Sequence, residues 1–284
     1  MRRFIYIVIG AFILVCGIVL FVNAQSKQGI LNDIEKPNEV KSEHTAPNQN
    51  EEYEEQIAKS ETAAVKKQAE SDEAIIIVLD PGHQERPNLE QEPIGPGAVE
   101  TKPKVVGGTT GVVTNKPEYE LTLEASFLLQ EALEEKGFNV ILTRESNQVD
   151  ISNSERAQVA NDRQADLFLR IHADGAESAE AKGFSLLIPG EENHYTEKIY
   201  EESLLAAEHM LAHIEAEISL HQDGLIVRND LSGFNWSEVP VALVELGFMT
   251  NPEEDRKLAD ETYIGDLSRM LADGVEAYIE EKKQ

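Results

Sequence analysis

Three residues able to hold a metal or move a proton stand where apolar runs end: His83, His172 and Glu245. Ala74-Ile75-Ile76-Ile77-Val78-Leu79 is continuous and largely β-branched, and Asp80-Pro81-Gly82-His83 breaks it. Asp166 to His172 and Val241 to Glu245 end in the other two residues. Such runs read as buried strands. In an open α/β sheet, ligands bind beyond the carboxyl ends of the strands, so three polar strand exits can converge on one point. Chance does not explain why the apolar run Val241 to Val244 delivers a charge at a core-facing position.

Two imidazoles and a carboxylate suit a hydrolytic zinc site, which needs about three protein ligands and one position open to water. The net positive metal lowers the pKa of that water, and a further carboxylate can take its proton and pass it to a leaving amine. The residues alone leave the third ligand open. Glu118 begins a helix after Pro117, whereas Glu100 lies nearer His83 in irregular sequence. Asp80 reads either as an acceptor orienting a ligand imidazole or as a turn residue. Arg156 reads as a structural ion-pair partner or as an anchor for a substrate carboxylate. His209 and His213 share a helix face and His221 follows. Without a glutamate-bearing zinc motif, they read as a solvated face.

The elements that must position these residues alternate. Strands are expected at 74–79, 138–143, 166–172, 183–188 and 241–245, and helices at 119–136, 152–163, 196–219, from Asn251, and 264–281. Ser152 or Asn153 is an N-cap candidate and Gly137 a C-terminal stop. The stretch from Glu85 to Lys116 reads as long and irregular. Strands alternating with helices argue for an α/β domain with a largely parallel sheet.

The chain has 284 residues and a formal net charge of -28, which argues against nucleic-acid binding. Its one cysteine, Cys16, permits no intramolecular disulfide and no cysteine-based zinc site. Val15 is too large for the usual lipid-attachment signal. Met1-Arg2-Arg3 precedes an apolar run from Phe4 to Val22, so residues 1–24 read as a signal peptide or membrane anchor, with the rest exported. Residues 25–73 are polar and acidic and read as a disordered linker. Residues 74–284 are then the catalytic domain.

Several blocks carry a family resemblance. Leu79-Asp80-Pro81-Gly82-His83 and Pro117-Glu118 come first, then Leu142-Thr143-Arg144, Arg156 with Ala160-Asn161, Ala165 to Ala173, and Val244 to Asn251. In that order they resemble the N-acetylmuramoyl-L-alanine amidase family of zinc enzymes, over about residues 75–279. The resemblance implies a single three-layer domain, a central mostly parallel mixed sheet flanked by helices. It implies one zinc ion on His83, Glu118 and His172, with Glu245 as the catalytic carboxylate. The implied reaction is hydrolysis of the amide between N-acetylmuramic acid and L-alanine in peptidoglycan, at the outer face of the membrane or in the wall. Arg170 stands where the family usually has a small residue, Asp174 where it has Asn, and the 85–116 stretch is longer than usual. A zinc peptidase acting on the stem peptide, and a catalytically silent wall-binding homologue, are the alternative readings.

Overall fold

In the computed structural model, residues 74–214 and 216–284 are described. The expected N-terminal helix (1–24), the linker (25–73) and Cys16 lie outside them. Among the described residues, no helix is long and apolar enough to cross a membrane.

The chain order is β1 (Ile76–Pro81), β2 (Asn88–Pro93), β3 (Thr101–Val105), α1 (Glu118–Glu135), β4 (Asn139–Leu142), α2 (Asn153–Asp162) and β5 (Leu167–Asp174). Then follow β6 (Phe184–Ile188), α3 (Tyr200–Ile214), β7 (Leu220–Val227), α4 (Ser232–Asn235), β8 (Val241–Phe248), α5 (Pro252–Leu258) and α6 (Glu261–Lys282). The main sheet runs β4-β1-β5-β8-β6-β7, and β2 and β3 form a separate antiparallel pair. Strands β4, β1, β5 and β8 are parallel to one another. Strand β6 is antiparallel to β8 and parallel to β7, so the sheet is mixed but mostly parallel.

Two apolar cores, one on each face of the sheet, give the three layers. Leu167, Leu169, Ile171 and Ala173 of β5 pack into one core with residues of α1, α3 and α6. Phe168 enters the other core with Ala157, Ala160, Phe234 and Leu243. Each fully buried large apolar side chain contributes about 1.5–3 kcal/mol. Because side chains alternate along a strand, Arg170, His172 and Asp174 share the second face. The same parity on β1 and β8 brings Asp80 and Glu245 to that face.

Local chemistry explains the element ends. Ser152 caps α2 by accepting from the Glu155 N–H, and the Glu155 side chain accepts from the Ser152 N–H in return. Gly137, at φ +87, ends α1 in the left-handed region, where only glycine pays no steric penalty. Asn251 caps α5 through the N–H groups of Glu253 and Glu254.

Three expectations change. Helix α3 covers Tyr200–Ile214 rather than 196–219. Strand β7 was not expected. Gln222, Asp223 and Gly224 all have positive φ within it, and a register shift against β6 accompanies them. That bulge removes the alternating pattern by which a strand is recognised. The stretch read as irregular contains the β2–β3 hairpin, whose strands are polar and carry Pro93 and Pro103. Proline is tolerated at such edges.

Candidate metal centre

His83 leaves β1 two residues past its end, with φ at +59. A non-glycine residue in this region is uncommon, and here it marks the site. The ring is held by its Nδ1, which donates to the Val106 carbonyl at 2.9 Å. A carbonyl can only accept, so in neutral His83 the lone pair lies on Nε2. That Nε2 faces Glu118 Oε1 at 3.2 Å.

Glu118 is the first residue of α1 and is buried. The helix start favours its negative charge. Its Oε1 lies 3.2 Å from His172 Nδ1 and accepts from the Ala173 N–H at 3.2 Å. Its Oε2 accepts from the Thr109 N–H at 2.8 Å. The donor atoms of His83, Glu118 and His172 all lie within 4.8 Å of one another, and this is the single group of its kind among the described residues. Glu100 is exposed and outside the group.

The donor set fits a metal ion. Burial pushes the His172 imidazole down to about 4, which keeps it neutral and able to ligate. Burial raises the Glu118 carboxyl, but hydrogen bonds from His172 and His83 outweigh it and hold the group below its ordinary range. Burial works against charge on His83 too, yet Glu118 prevails and raises its affinity for a proton. A carboxylate facing two ring nitrogens thus recruits positive charge to one point. His172 Nε2 is buried without a hydrogen-bond partner among the described residues.

Two glycines permit this packing. A Cβ on Gly82 would stand 2.5 Å from His172 Nε2 and 2.7 Å from its Nδ1. One on Gly108 would stand 2.7 Å from Glu118 Oε2 and 3.0 Å from His83 Cδ2.

Glu245 is the register partner of His172 on β8, and Ser185 of β6 is its partner on the other side. Glu245 Oε2 and Ser185 Oγ are buried and have no hydrogen-bond partner among the described residues. Burial pushes the Glu245 carboxyl well above the ordinary carboxylate range, and the charges of Glu118 and Asp174 add to the effect. A buried carboxyl of raised proton affinity is chemically suited to proton transfer.

Asp80 accepts no hydrogen bond from either imidazole. It is fully buried and accepts from Thr143 Oγ1 at 2.6 Å, Arg156 Nη1 at 2.7 Å and Arg170 Nε at 2.9 Å. Arg156 donates to the carbonyls of Pro81 and His83 at 2.8 and 2.9 Å, and to Ile151 O. Its donors are engaged inside the protein, where they fix the turn that carries His83. Arg144, noticed in the sequence only as part of a block, donates to Pro81 O and Gly82 O and has the same effect. His209 contacts Glu281 at 2.9 Å, and His213 lies 2.8 Å from the His209 carbonyl. His221 contacts Lys182 O at 3.2 Å, so none of the three belongs to the centre.

The centre opens into a groove of about 280 Å³. The β2–β3 hairpin forms one wall. It is pinned by Glu92, which accepts from Asn153 N and Ser154 Oγ, and by Trp236 Nε1 donating to Pro93 O. No motif in the sequence marks Ser185, Arg170 or Arg228 as site residues. Parity from His172 places Arg170 on the groove face, but nothing in the sequence signals that β6 and the residue after β7 border it.

The family model described as N-acetylmuramoyl-L-alanine amidase matches residues 77–277. An N-acetylmuramoyl-L-alanine amidase of Mycobacterium tuberculosis is 29% identical over 219 residues, covering 72% of this chain and 86% of that protein. The amidase AmiA of Escherichia coli is 26% identical over 245 residues, covering 72% and 75%. The crystal structure of the apo form of Ami1 from Mycobacterium abscessus superposes with a TM-score of 0.65 at 28% identity, covering 72% of this chain and 98% of that one.

Proposed function

The chain belongs to the N-acetylmuramoyl-L-alanine amidase family, enzymes that hydrolyse the amide between N-acetylmuramic acid and L-alanine in peptidoglycan, and we propose which of its residues do this work. His83, Glu118 and His172 hold one zinc ion, and Glu245 moves the proton. The observation that carries the reading is a carboxylate whose Oε2 is buried with no hydrogen-bond partner among the described residues, in ladder register with His172 of the His–Glu–His group.

A bound zinc supplies Lewis-acid polarisation and acidifies water at the site. The raised proton affinity of Glu245 lets it accept a proton from the attacking water and then donate it to the leaving L-alanine amine. His83 is kept in its ligating tautomer by Val106 O, and Arg156 and Arg144 hold the turn beneath it. Apolar Leu187 and Leu243 line the groove next to Glu245 and limit its hydration.

The enzyme acts outside the membrane, at the wall, where its substrate lies. A chelator is expected to stop hydrolysis of purified peptidoglycan, and added zinc to restore it. Hydrolysis that persists in chelator would overturn the zinc assignment.

A further inference from the structure

Four cations, Lys102, Arg156, Arg170 and Arg228, line the groove against Asp230 and Glu245, in a protein of net charge -28. Asp80 is shared by Arg156 and Arg170. Asp230 is shared by Arg228, at 2.7 Å, and Lys102, at 3.7 Å. Each cluster therefore holds two cations against one carboxylate, and both line the groove. Arg170 is 5% exposed and spends Nε on Asp80 and Nη2 on Asn153. Arg228 spends Nε and Nη2 on Asp230. The Nη1 groups of both have no acceptor among the described residues. Neither arginine is needed by the hydrolysis described above.

We propose that Arg170 and Arg228 form a carboxylate subsite that selects stem peptides whose second residue, the one after L-alanine, carries a free α-carboxylate. The inference rests on the amidase reading. Arg170 lies two residues before His172 on the same strand face, roughly 7 Å along the strand. A peptide residue spans about 3.3–3.6 Å when extended, so a stem cleaved at His172 reaches that row within two residues. Each free Nη1 can donate one charge-assisted hydrogen bond to a carboxylate oxygen. The excess of cations over carboxylates in the two clusters favours that anion.

The test compares L-alanyl-D-glutamate with L-alanyl-D-isoglutamine, which differ only in a carboxylate or carboxamide at this position. Binding to the full chain is measured by calorimetry, and kcat/KM on the N-acetylmuramoyl forms of both. The wild type is expected to bind the carboxylate form about tenfold more tightly, in line with a charge-assisted hydrogen bond. R228Q and R170K are each expected to bring that ratio near one, mainly through KM. Equal binding of the two peptides by the wild type, or an unchanged ratio in both variants, overturns the subsite. A binding preference without hydrolysis of either muramoyl substrate instead supports the subsite and counts against the amidase reading. R228Q alters a half-exposed side chain, so it keeps the test decisive if R170K does not fold.

Discussion

His172 and Glu245 stand opposite each other in the parallel ladder of β5 and β8, on the same face of the sheet. One residue offers a buried neutral imidazole, and the other a buried carboxyl with raised proton affinity. A one-residue slip in that ladder would move one of them to the opposite core. Register therefore couples the His–Glu–His group to the carboxyl proposed to carry the proton.

Glu245→Gln is expected to retain zinc and lower kcat by about 10²–10⁴, the usual share of general acid–base catalysis. It should also stabilise the chelator-treated protein. A carboxyl whose proton affinity is raised by folding destabilises the fold above its ordinary pKa, because the unfolded chain ionises more readily. Removing the charge should yield about 1–3 kcal/mol at neutral pH. The gain should vanish below about pH 4, where both states are protonated. Thermal unfolding across pH checks this, and a neutral-pH loss of Tm would contradict it.

Glu118→Gln and Glu100→Gln separate the two carboxylates that the sequence left open. The first should bind zinc less than stoichiometrically, while the second should match the wild type. Elemental analysis of the purified variants distinguishes them. Reduced zinc in the Glu100 variant alone would reverse the assignment.

Gly82→Ala is expected to weaken zinc binding about 10–100-fold, the usual effect of disturbing what orients a ligand. The new methyl group would occupy the space of the His172 ring. Competition with a chromophoric chelator measures the change. Unaltered affinity would mean that His172 tolerates displacement.

Asp80→Asn would leave Arg156 and Arg170 buried without their shared anion, at a cost of about 3–5 kcal/mol. Burial raises the Asp80 carboxyl, but the two guanidiniums outweigh it and hold it well below the ordinary carboxylate range. Its contribution is thus complete above about pH 4 and declines as the pH falls toward the depressed value. Urea unfolding of wild type and variant should differ most at neutral pH and converge in acid. A difference that grows in acid would contradict the linkage.

The sequence disclosed the strands that carry the centre because they are buried on both faces and read as unbroken apolar runs. It disclosed α2 and α5 because Ser152 and Asn251 are capping residues that accept from backbone N–H groups at the helix starts. The hairpin and β7 were hidden, the first by polar strands carrying proline, the second by a bulge at Gln222 to Gly224. Lys102 lies on the hairpin and Arg228 directly follows β7, so one wall of the groove was illegible while its floor was not. Asp80 was hard to place for another reason. Its partners Thr143, Arg156 and Arg170 lie 63 to 90 residues away, and only the sheet order brings them together.

The most direct test of the account is mass analysis of what the enzyme releases from purified peptidoglycan. Intact stem peptides with free L-alanine amino termini are expected in wild-type digests and not in those of Glu245→Gln. Stems cut within the peptide, or newly exposed reducing sugars, would contradict it.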